Sequence, residues 1–118
     1  MAAIMFSKDP EKGWVVAGWV MRQVLDDVTS QHPEDSDMAK ELAQAKLFSG
    51  LSVYSLEPEF AARVTGTIKQ TVMDILSGTI RSGIHDQPYG DTRTVEQYLE
   101  ALRELLQIIP SIEGRKRA

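Results

Sequence analysis

The nine residues from Gly13 to Met21, GWVVAGWVM, hold two tryptophans and no charge. Any fold of this chain has to hide most of that surface. Run as a helix at about 100° per residue, the stretch places Trp19 about 140° from Trp14. Val15, Val16 and Val20 surround Trp19 on the same wheel. A helix that is apolar all round is buried all round. One indole therefore anchors an interior, and the other must face something else. The run falls well short of the roughly 20 apolar residues that a membrane span requires.

Apolar residues recur at helical spacing along the rest of the chain. A first helix is expected from about Pro10 to about Ser30, with Asp9 as N-cap and Pro10 in the first turn. Its inner stripe reads Trp14, Ala17, Met21, Val24, Leu25 and Val28, and Arg22, Gln23, Asp26 and Asp27 make its polar side. A second helix is expected over about 36–48, capped by Asp35 or Ser36 and stopped by Gly50. A third runs from about Leu56 to about Arg81, with Gly78 beside Phe60 at a close helix crossing. The fourth runs from about Val95 to about Ile109, with Thr94 and Gln97 as a capping box and Pro110 past its end. The segment GLSVYSL, from Gly50 to Leu56, reads as a loop, because a lone strand there has no evident partner. These readings combine into an all-α fold: an antiparallel four-helix bundle, up-down-up-down, with one long loop between helices 3 and 4.

A chain of 118 residues is expected to form a single helical domain. Residues 1–8 would be an N-terminal arm and residues 112–118 a flexible basic tail. The tail, Arg115-Lys116-Arg117, holds three of the 13 positive charges, so the rest of the chain is more acidic than the formal net charge of −4. Such a body repels phosphate backbones, and nucleic acid is not an expected partner. The chain contains no cysteine, which excludes disulfides, zinc thiolate sites and cysteine nucleophiles and suits a reducing cytoplasm. The N-terminus lacks a basic segment followed by a long apolar run, so no secretory signal or membrane association is expected.

The sequence carries few features of a catalytic or metal site. There is no Glu-x-x-His pair of a di-iron bundle, no zinc-binding His-Glu-x-x-His helix, no phosphate-binding glycine loop and no nucleophile elbow. The acidic stretch PEDSDMAKE lacks the glycine and final glutamate of a calcium loop. No metal and no cofactor is expected. His32 precedes Pro33 in a charged connection and reads as a solvated loop residue. His85 lies in the long loop beside Asp86, with Tyr89 and Asp91 close behind. One reading makes it a general base, oriented by Asp86 or Asp91, in a small-molecule or hydrolytic site with Tyr89 as a hydrogen-bond donor. The other makes these residues the turn and capping groups of a surface loop.

Two surfaces remain. Val15, Val16, Trp19 and Val20 are covered either by the folded-back arm from Ala2 to Phe6 or by a second copy of the chain. A homodimer is the expected answer, since aromatic residues are enriched in interface cores. Asp26, Asp27, Glu34, Asp35, Asp37 and Glu41 form an acidic patch opposed by Lys40 alone. It is either a solvated helix hairpin or a docking surface for a basic protein, as in immunity or adaptor proteins. The overall expectation is a protein that works by binding rather than by catalysis.

Overall fold

The computed structural model describes residues 2–8, 13–88 and 92–117, the last of these with side chains over 93–109. Strands β1 (Ala2–Met5) and β2 (Gly13–Val16) lead into helix α1 (Gly18–Gln31) and helix α2 (Ser36–Phe48). Strand β3 (Gly50–Ser52) and a 3-10 turn (Val53–Ser55) precede helix α3 (Pro58–Leu76). A second 3-10 turn (Gly83–Asp86) leads to helix α4 (Thr92–Arg117). The all-α bundle is therefore corrected. Among the described residues the fold is mixed α/β, four helices with a three-stranded sheet of order β2-β1-β3.

The correction begins in the opening tryptophan stretch. Gly13–Val16 alternates about the sheet with period two: Trp14 is 1 % exposed and Val16 is buried, while Val15 between them is 52 % exposed. Tryptophan and valine favour a pleated surface, and three such residues in a row satisfy a strand as readily as a helical turn. Ala17 keeps the extended backbone (φ −60°, ψ 147°), and its carbonyl accepts the first helical bonds from Val20 and Met21. The helix thus starts at Gly18 rather than near Pro10. Asp9 and Pro10 themselves lie outside the described residues.

β1 is the centre of the sheet. It pairs antiparallel with β2 and parallel with β3. Ile4 sits between Trp14 on one side and Leu51 on the other, and all three are buried. The segments expected to be an arm and a loop thus each contribute a strand, and β1 is the partner that Gly50–Ser52 lacked in the linear sequence.

The sheet's inward row joins one core with all four helices. Val24, Leu25 and Val28 of α1, Leu42 of α2, Val64, Ile68 and Val72 of α3, and Leu102, Leu105 and Ile109 of α4 are fully buried in it. Each such side chain contributes about 1.5–3 kcal/mol relative to exposure. Trp14 ties sheet to helix by donating its indole N–H to the Ala101 carbonyl of α4 at 3.0 Å.

α2 occupies the span expected for it, and Asp35 caps it by accepting from the Met38 amide at 3.1 Å. α3 is shorter than expected. It ends at Leu76, and Gly78 takes φ +80°, a left-handed conformation that stops the helix rather than permitting a crossing. α4 begins at Thr92 and passes Pro110, so Thr94 lies inside the helix instead of capping it.

Candidate functional site

Polar groups converge in the interior at Asp27 of α1, which is 5 % exposed. Gln23, one turn earlier, donates to its Oδ1 at 3.0 Å, and the Gly83 amide donates to the same oxygen at 2.9 Å. Ser82 Oγ donates to Oδ2 at 2.5 Å and Tyr98 Oη at 2.7 Å. Ser82 Oγ in turn accepts from the Ile84 amide, which opens the second 3-10 turn. A buried carboxylate needs such donors, because an unmet one costs several kcal/mol. Burial raises the Tyr98 phenol far above its ordinary value, and the negative charge of Asp27 and the hydrogen bond to it add to the effect. The four donors occupy both oxygens. The chemistry available here is cross-linking: α1, the α3–α4 connection and α4 are held to one carboxylate. Gly83 completes the closure, since a Cβ there would lie 3.0 Å from Gln23 Nε2 and 3.4 Å from Asp27 Oδ1.

Of the loop constellation, His85 and Asp86 fall within the described residues. His85 is exposed on the second 3-10 turn. Its neighbour Asp86 is exposed as well and bonds Arg81 Nη2 at 3.2 Å. Tyr89 and Asp91 lie outside the described residues. Among the described residues no group of three or more His, Asp or Glu could hold a metal ion, and no helix is long and apolar enough to cross a membrane.

The four residues expected to share one apolar face are separated. Val16 and Val20 belong to the chain's own core. Val15 points outward from β2. Trp19 is half-buried against that core, its ring centroid 6.5 Å from that of Tyr98. Val16 and Val20 are thus covered within the chain, while Val15 and part of Trp19 stay at the surface.

The acidic patch is sorted by the fold. Asp27 turns inward. Asp26 pairs with Lys46 at 2.6 Å. Asp35 pairs with Arg63 of α3 at 3.3 Å as well as capping α2. Glu34 is exposed in the α1–α2 connection. Asp37 and Glu41 line an open groove of about 420 Å³ between α2 and the start of α3. Lys40 and Gln44 share their wall, and Glu57, Glu59, Phe60 and Arg63 form the other. The Arg63 guanidinium lies over the Phe60 ring, 4.9 Å from its centroid, a cation–π contact. The α3 wall is absent from the sequence reading. EPEF, Glu57 to Phe60, carried a signal in its two carboxylates at a helix start, but only as a cap preference.

Neither a protein-family model, a curated protein nor a solved structure matches this chain.

Proposed function

We propose that this protein is a non-enzymatic binding domain that docks a basic segment of a protein partner in the groove between α2 and α3. One observation carries the reading. Asp37 and Glu41 from α2, with Glu57 just ahead of α3 and Glu59 in its first turn, line one groove, while Arg63, one of its two cations, is committed to Asp35 and to the Phe60 ring. Carboxylates brought together by two different elements attract a cationic segment and steer its encounter. A cytoplasmic setting is part of the reading, and the cysteine-free sequence suits it.

The test is fluorescence anisotropy with a labelled Lys/Arg-rich peptide and a matched Asp/Glu-rich peptide, at low salt and at about 0.15 M. Asp37→Lys with Glu41→Lys is expected to weaken binding of the basic peptide by about tenfold or more. Glu96→Lys with Glu104→Lys, on the exposed side of α4, carries the same change in net charge and should leave affinity within about twofold. Equal losses in the two variants would reduce the effect to net charge and end the proposal.

A further inference from the structure

Leu47 and Phe48, the last two residues of α2, are adjacent, large and apolar, yet they are 78 % and 77 % exposed. Isolated exposed apolar residues are ordinary on a protein surface, whereas clustered ones mark contact sites. Their place on the helix gives the pair a direction. Seven residues make about two helical turns, so Leu47 lies above Lys40 and Phe48 above Glu41, displaced about 10 Å along the axis. Lys40 and Glu41 line the acidic groove. The apolar pair therefore prolongs the α2 wall of that groove beyond Gln44.

We infer that the groove and the Leu47–Phe48 pair form one docking surface, and that its occupant is a basic amphipathic protein segment. This rests on the reading of the groove given above and adds the apolar half of the recognition. Charge selects among the occupants of such a surface. Anionic lipid is repelled by Asp37, Glu41, Glu57 and Glu59, and a second copy would bring the same carboxylates against themselves. A cationic segment with a bulky apolar anchor satisfies both halves. The axial offset sets its spacing. The cation and the anchor are about 10 Å apart, seven residues in a helical segment or three in an extended one.

The experiment is selection of a displayed random peptide library on the wild-type protein, followed by anisotropy of the enriched peptides on three proteins. These are the wild type, Leu47→Ser with Phe48→Ser, and Asp37→Lys with Glu41→Lys. Both substituted pairs lie on exposed or half-exposed positions of α2, and circular dichroism with a thermal melt establishes that each variant is folded. Enriched peptides are expected to pair Lys or Arg with an aromatic or large aliphatic residue at that spacing, and each variant is expected to weaken them about tenfold or more. If the serine variant binds within about twofold while charge reversal abolishes binding, the apolar half is wrong and the groove reading survives. If no basic peptide is enriched, or neither variant matters, both fall. Sedimentation and vesicle flotation complete the test. A wild-type dimer made monomeric by the serine pair, or capture by phosphatidylglycerol vesicles lost in the serine pair, would give the surface to another occupant and overturn the inference.

Discussion

Tyr98 of α4 donates its phenol to Asp27 of α1 at 2.7 Å, across 71 positions of chain, with both residues buried. That contact joins the second half of the fold to the first at a point where water cannot substitute. Ser82, Gly83 and Gln23 complete the same carboxylate.

Removing the phenol oxygen alone isolates the contribution of that bond. Tyr98→Phe keeps the ring and its packing near Trp19 but withdraws one donor from a buried carboxylate. Hydrogen bonds to charged groups are worth about 1.5–3 kcal/mol. Urea unfolding of Tyr98→Phe should show a loss in that range with an unchanged m-value. A loss below about 0.5 kcal/mol would mean that the remaining donors suffice.

The same phenol makes stability fall at high pH. Its folded value is raised, so the native state keeps the proton while the unfolded chain loses it above its ordinary value of about 10. Below that pH both states hold the proton and stability is unaffected. Above it the unfolded state binds fewer protons, and stability declines by up to about 1.4 kcal/mol per pH unit. Unfolding of wild type and Tyr98→Phe compared between pH 9 and about 11.5 should show the gap between them narrowing as pH rises. The difference cancels the other tyrosines.

Gly83 is held to glycine by space. A Cβ at 3.0 Å from Gln23 Nε2 forces the amide side chain aside and disturbs the carboxylate behind it. Gly83→Ala should cost about 1–3 kcal/mol in a thermal or urea melt. Combined with Gln23→Ala, which clears the nearer atom, the two losses should be less than additive. Simple additivity would place the clash elsewhere.

Two glycines of the α3 region should respond in opposite directions. Gly66 lies inside α3 with nothing within 4 Å of a Cβ, and Gly66→Ala should stabilise by up to about 1 kcal/mol. Gly78 takes φ +80° just past the helix end, and Gly78→Ala should destabilise by about 1 kcal/mol. Melting temperatures of the two variants should bracket the wild type.

The parts of this fold readable from the linear chain are those decided locally. Asp35 caps the helix that follows because the carboxylate and the Met38 amide are three residues apart. The stripe Leu102, Leu105 and Ile109 repeats every three to four residues and is buried as a stripe must be. The sheet escaped because its strands have three or four residues each, and because β3 finds its partner at the far N-terminal end of the chain. Trp14 and the valines after it satisfy a helical wheel as well as a pleat, and only β1 lying alongside decides between them.

The candidate sites divide in the same way. The order of residues along the chain determined that the stretch from Asp26 to Glu41 is rich in acids and that the helices are amphipathic. Which carboxylates remain on that face was decided in three dimensions. Asp26 and Asp27 are neighbours of identical chemistry, but one helical step turns Asp26 to Lys46 and water and Asp27 to Ser82, Gly83 and Tyr98. Glu57 and Glu59 join Asp37 and Glu41 only because α3 returns beside α2. A sequence states what each residue can do. Desolvation and the arrival of distant partners state which of those things it does, and both are properties of the packed chain.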